Sequence, residues 1–239
     1  MVIPIGIPSL WGAVLVLHRH YLASTSIKMK ARHRLGMALF TGRQRQSRCP
    51  CSTPASPQAI DVFGRHVLLC RQGFRVRRHN RLRDMIVVQA RKGFSAVLSE
   101  PQHLNTSDGR RPDFLVSGFE QGKAAAFDVS VTSPLAPTYL ANSATTPQYA
   151  EERRAQEKLD KYEATCESHN IDFHPLIVNC FGGRLPSSVE PLRQISHRAA
   201  SADNAEASLV HKYFMEKLSL SLLRENVGMF LSKPPDVDP

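Results

Sequence analysis

Residues 110–131 read RRPDFLVSGFEQGKAAAFDVSV. Two short apolar runs with aromatic and β-branched content, Asp113–Ser117 and Ala124–Val131, read as strands. Gly118 and Gly122 lie in the loop between them, and Ser107-Asp108-Gly109 marks a turn just before. Two strands joined by so short a loop pair antiparallel. The hydrophilic residues are the unusual feature. Asp113 opens the first run, and Asp128 sits inside the second, between Phe127 and Val129. An ionised carboxylate is costly to bury in such surroundings. Two like charges ~4 Å apart repel by about 4 kcal/mol at an effective dielectric of ~20. Mg²⁺ or Mn²⁺ would reverse that sign. The alternative is that one Asp caps a turn while the other pairs with an arginine.

Upstream, Leu82–Val97 reads as a helix passing into a strand. Met85, Ile86, Val87, Val88 and Ala90 supply its apolar face, and Gly93 marks the break. Pro134 and Pro137 close the Asp128 strand. Residues 149–169 are rich in Glu, Lys, Arg and Ala without Gly or Pro, which predicts a long helix. Arg154, Lys158 and Lys161 share one of its faces, and Tyr162 lies beside Lys158. A lysine so placed can offset phosphate charge or orient a nucleophile. A solvated, salt-bridged helix is the competing reading, because Glu151, Glu152, Glu157 and Asp160 are there too. Ile171–Phe181 reads as another strand, closed by Gly182-Gly183; helices follow over 189–199 and 204–230. The expected class is α/β (α+β): a small mixed sheet flanked by helices, in the order αβββαβ.

Charge divides the chain. Of 239 residues, the first 99 hold 17 Lys and Arg against two acids, a net of +15. The remainder holds 14 against 19, a net of −5. A basic front fits a polyanion, and nucleic acid leads because phosphate contacts supply most non-specific affinity. No apolar run reaches the ~18–20 residues of a membrane span. Residues 1–17 are uncharged and apolar but lack the basic start of a signal peptide. Residues 1–31 are left unassigned, and the tail from Pro234 is expected to be loose.

Five cysteines are present. Cys49-x-Cys51 is followed after fourteen residues by His66-x3-Cys70. Two close pairs of soft or borderline ligands suit tetrahedral Zn²⁺, although C-x-C is tighter than the usual spacing. The competing reading buries Cys70 beside Leu68 and Leu69 and leaves His66 on the surface. Arg43, Arg45, Arg48, Arg75, Arg77 and Arg78 surround the cluster in sequence.

In this order the pieces resemble the carboxy-terminal region of site-specific non-LTR retrotransposon proteins, where a Cys-Cys-His-Cys knuckle precedes a restriction-enzyme-like endonuclease. The matching residues are Cys49-Pro-Cys51, His66-x3-Cys70, Arg78-His79-Asn80, Arg111-Pro112-Asp113, Asp128 and Lys158-x3-Tyr162. His33-Arg-Leu-Gly36 is similar to the segment preceding such knuckles. The likeness spans roughly residues 32 to 185. It implies a basic arm and zinc knuckle over 32–71, a nuclease core of the PD-(D/E)xK class over 72–185, and a helical extension over 186–239. It further implies Mg²⁺ or Mn²⁺ at Asp113 and Asp128, and structural Zn²⁺ at Cys49, Cys51, His66 and Cys70. Lys158 and Tyr162 become catalytic candidates, with Lys161 competing for the lysine's role. Ser130 stands where the class usually carries its lysine.

Arg43, Arg45, Arg48, Arg75, Arg77, Arg78, His79 and Arg111 are the expected nucleic-acid contacts, with Arg78 and His79 equally able to brace the core. The implied partners are double-stranded DNA and element RNA, and the implied location is nuclear. With no room for a reverse transcriptase, the chain is expected to be a fragment, a domesticated remnant or a truncated product. The implied activity is nicking of target DNA; the alternative is an inactive nucleic-acid-binding remnant.

Overall fold

The computed structural model describes residues 25–35, 37–40, 48–49, 51–53, 55, 58–70, 74–104, 106 and 109–232. The apolar start, Arg43, Arg45, the Ser107-Asp108 turn and the tail lie outside them. The helices are α1 (Thr25–Arg34), α2 (Arg65–Leu69), α3 (Phe74–Gly93), α4 (Leu140–Ser143), α5 (Tyr149–Glu167), α6 (Pro186–Ala202) and α7 (Ala207–Leu231). The strands are β1 (Val97–Ser99), β2 (Phe114–Glu120), β3 (Lys123–Thr132) and β4 (Ile171–Asn179). They form one mixed sheet in the order β1-β2-β3-β4.

The hairpin of β2 and β3 is antiparallel, with Phe114 opposite Phe127 and Glu120 opposite Lys123. Gln121 and Gly122 both have positive φ, +48° and +83°, the backbone a two-residue hairpin loop requires. Gly118, at φ +65°, lies where the register shifts between Val116 and Glu120. There a bulge bends the strand. β3 then pairs parallel with β4, setting Asp128 beside Pro175 and Ser130 beside Ile177. A parallel pair needs a crossover connection, and α5 supplies it.

β3 is buried on both faces. Ala125, Phe127 and Val129 join the main core with Leu82, Ile86, Ile195 and Leu222 from α3, α6 and α7. Ala126, on the opposite face, packs with Leu104, Leu115, Cys166 and Ile171. Asp128 and Ser130 follow Ala126 on that face by strand alternation. A second apolar cluster gathers Met29, Phe40, Cys49, Val67, Cys70 and Phe230, so α7 belongs to both cores.

The start of α3 differs from the expectation at Leu82: the helix begins eight residues earlier, at Phe74. Arg75, Arg77 and Arg78 in its first turns oppose the helix dipole, so local signals argue against helix there. Tertiary partners override them. Arg77 pairs with Glu225 at 3.0 Å, and Arg78 is buried and bonded to α7. Gly93, at the end of α3, has a packing reason as well: a Cβ there would lie 2.4 Å from the backbone carbon of Arg198 in α6.

Candidate functional site

Two clusters of metal-capable side chains are built. The first is local. A bridge between Arg48 and Ala59 and the bond from Cys49 N–H to the Gln58 carbonyl, 2.8 Å, close the loop bearing Cys49 and Cys51. The Ser52 hydroxyl donates to the Gln58 carbonyl and accepts from its N–H. His66 and Cys70 lie one helical turn apart, on α2 and at its C-terminal cap. Asp61 fixes the start of α2 by accepting from the N–H groups of His66 and Phe63, each at 3.0 Å.

The ligand atoms of Cys49, Cys51, His66 and Cys70 all lie within 4.8 Å of one another. Cys49 Sγ is 3.6 Å from Cys70 Sγ, and Cys51 Sγ is 3.1 Å from His66 Nε2. A tetrahedron with Zn–S bonds of about 2.3 Å has S–S edges near ~3.8 Å, so the donor set fits zinc or a similar metal. Burial opposes ionisation of Cys49, but hydrogen bonds from Cys51, His66 and Cys70 outweigh it and pull the thiol down to about 6. Burial and its sulfur neighbours push Cys51 up to about 12. The cluster thus already favours thiolate at one member, the form that binds metal.

The second cluster is assembled from distant segments. Asp113 immediately precedes β2, and continuing the hairpin register places it opposite Asp128. Its N–H donates to the Phe127 carbonyl at 2.8 Å. Its Oδ2 accepts from Val129 N–H at 2.7 Å, and its Oδ1 meets His79 Nε2 at 3.0 Å. Asp128 is 4% exposed. Its Oδ2 takes no well-directed hydrogen bond, although Lys158 Nζ lies 2.7 Å away. Burial first, then the Asp113 charge, hold its pKa above the ordinary carboxylate value; Lys158 and His79 oppose this without overcoming it. Burial disfavours the His79 cation, yet the hydrogen bond and charge of Asp113 raise its pKa on balance.

Helix α5 and strand β3 match rung for rung. Lys158 reaches Asp128, and one turn earlier Arg154 Nε donates to Ser130 Oγ at 2.9 Å. A helical turn of four residues advances ~6 Å and two strand residues advance ~6.6 Å, so the pairings stay in step. Arg154 thereby occupies the place beside Ser130. The sequence reading placed Arg154 on the right face but gave it no role there. The spacing of one turn against two strand residues was the available signal. Glu151, one turn further and buried, accepts from Asn179 Nδ2 at 2.5 Å. Tyr162 is buried beside Phe173, with the ammonium groups of Lys158 and Lys161 each 5.5 Å from its ring centre. Lys158 is the lysine at the carboxylate.

The arginines separate. Arg78 is 4% exposed, donating to Asn226 Oδ1 at 2.8 Å and to the Leu68 carbonyl at 3.2 Å. Of the two roles expected for Arg78, contacting nucleic acid or bracing the core, its geometry fits the second: its two terminal nitrogens bond inside the protein, between the cysteine cluster and α7. Arg111 pairs with Glu100 at 2.7 Å, as Arg83 does at 3.3 Å. Arg48, Arg75 and Arg77 are exposed. His33 is buried and its Nε2 lies 3.3 Å from the Cys180 carbonyl, which also accepts from Asn226. Among the described residues, no helix is long and apolar enough to cross a membrane. No protein-family model matches the chain, and no curated protein matches it.

Proposed function

We propose that this chain is a metal-dependent DNA endonuclease with a restriction-endonuclease-like core, related to the nuclease region of site-specific non-LTR retrotransposon proteins. The observation that carries the reading is the meeting of Asp113, Asp128 and Lys158 at one end of the β2–β3 hairpin. The donor chemistry suits a hard divalent cation: two carboxylates side by side, one of them buried. Each carboxylate oxygen has two lone pairs, so the bonds from His79 and Val129 leave Asp113 capacity for a metal. Mg²⁺ or Mn²⁺ bound there would polarise the scissile phosphate and lower the pKa of a bound water.

The chain's own residues do the rest. Lys158 balances Asp128 in the resting protein, and with a divalent cation on the carboxylates its ammonium would be available to face phosphate oxygen. Arg154, anchored by Ser130 and by Glu157 at 2.7 Å, stands one turn away as a second cation for the same substrate. His79 fixes the rotamer of Asp113. Zinc at the cysteine cluster serves structure. Exposed Arg48, Arg75 and Arg77 and half-buried Arg111 hold double-stranded DNA, element RNA is a further partner, and the chromosomal substrate implies a nuclear site of action.

The test is nicking of supercoiled plasmid with and without Mg²⁺ or Mn²⁺. Metal-dependent nicking that Asp113→Ala or Asp128→Ala abolishes supports the reading. Nicking that survives both substitutions overturns the site. DNA binding with no nicking in either metal favours the inactive binding remnant.

A further inference from the structure

Helices α3 and α7 pack antiparallel, with Arg77 meeting Glu225, and leave a groove of about 1020 Å³ open to solvent. The groove runs along the side of α3 away from His79 and the carboxylates. Arg77 and Arg81 line one wall, and Lys217 and Arg224 line the other. All four are exposed. Arg77 has Glu225 as its partner, and Asp84 on the same wall is taken by Arg83 at 2.9 Å. Among the described residues, no carboxylate pairs with Arg81, Lys217 or Arg224. Lys30 of α1 adds to the crowding. Partial burial and then the charge of Arg224 lower its pKa. Five cations from three helices therefore stand together with two carboxylates, both engaged.

The lips of the groove are apolar and exposed: Val76 is 66% accessible and Leu220 52%. Helical spacing carries the α7 stripe from Arg224 through Leu220 and Lys217 to Tyr213, which is 46% exposed. A row of unneutralised cations ending on an open aromatic ring is how sequence-tolerant sites hold single strands: the cations follow the backbone and the ring stacks a base. Lys217 and Arg224, two turns apart, share one face of α7 across from Arg81. An acidic protein helix would meet the cations but would leave Tyr213 without a flat partner.

We infer that the α3–α7 groove lined by Arg81, Lys217 and Arg224, with Tyr213 beyond it on the same face of α7, is a binding site for single-stranded DNA, separate from the Asp113–Asp128 cluster. The choice of DNA rests on the proposed endonuclease reading, because nicking and local opening of a duplex release such a strand. The groove positions it along a surface distinct from the site of cleavage.

Fluorescence anisotropy of the full chain with a labelled 20-nucleotide DNA, in Mg²⁺-free buffer, tests this. Three phosphate contacts predict a slope of log affinity against log salt near about −2.1. The double substitution Arg81→Glu with Lys217→Glu should weaken binding by more than about tenfold and flatten that slope. Tyr213→Ala should weaken it roughly tenfold, and Tyr213→Phe should restore it. Binding of the same DNA as a duplex should be indifferent to Tyr213→Ala. All these side chains are exposed, so thermal melts should coincide with wild type.

Affinity unchanged in the charge-reversed protein overturns the groove. Tighter binding of RNA of the same sequence, or capture of an acidic helical peptide in competition with the strand, overturns the DNA assignment. The nicking assay reports on the carboxylates independently. Loss of nicking in Asp113→Ala with strand binding intact separates the two sites, and strand binding that fails while nicking persists overturns this inference alone.

Discussion

The cysteine–histidine cluster and the paired aspartates both gather metal-type ligands, but they are held in opposite ways. Cys49, Cys51, His66 and Cys70 lie within 22 residues of one another in sequence, and one loop and one helical turn bring them together. Asp113, Asp128, Lys158 and His79 come from the segment before β2, from β3 and from two helices. The first cluster could hold a metal such as zinc, which would neutralise its thiolates. The second is already held by a hairpin, a parallel crossover and a packed helix, and it stores electrostatic conflict instead: burial and Asp113 both act against the charge on Asp128. The difference is between a site closed by local turns and one assembled by the packing of distant elements.

The largest expected effect lies at the cysteine cluster. Structural zinc in small knuckles contributes apparent binding of roughly 10–16 kcal/mol. Zinc removal by a chelator, or Cys70→Ser, should therefore unfold residues 48–70 and loosen the end of α7, seen as lost hydrogen-exchange protection around Phe230. Protection unchanged by chelation would put the cluster on the same footing as the aspartates. At the aspartates the expectation is reversed. Asp113→Ala and Asp128→Ala should each reduce nicking at least ~100-fold, several kcal/mol of transition-state stabilisation, with folding retained in circular dichroism. A collapse of the fold in either variant would break the contrast.

Arg78 joins the two regions, so Arg78→Met should cost about 3–5 kcal/mol by stranding Asn226 Oδ1 and the Leu68 carbonyl. Urea unfolding measures it, and a loss below ~1 kcal/mol would mean that the two halves are independent. Gly93→Ala should cost about 1–3 kcal/mol, because the new methyl group meets the α6 backbone. An unchanged melting temperature would show that the α3–α6 contact yields. The smallest change belongs to the surface: Glu190→Gln removes the exposed pair with Arg193 and should leave the melting temperature indistinguishable from wild type.

Local signals in the sequence made the hairpin, α5, β4 and the later helices legible. Alternation, glycine turns and long runs free of Gly and Pro each act within a few residues. The cysteine pairs were legible for the same reason. The start of α3 was not, because three arginines in the first turns of a helix look unfavourable until Glu225 and Asn226 arrive from α7. Nor was the role of Arg154. It depends on a rung of contact between a helix and a strand that are 24 residues apart.

By itself, then, the sequence determined the order of elements, the mixed α/β class and the four ligand types of the cysteine cluster. Those follow from short-range stereochemistry and spacing. Only the tertiary structure decided that Lys158 is the lysine at Asp128, that Arg78 is an internal brace, and that α3 and α7 leave a basic groove between them. Burial and electrostatic pairing across long separations settle such questions. They depend on which surfaces meet, and no local pattern encodes that.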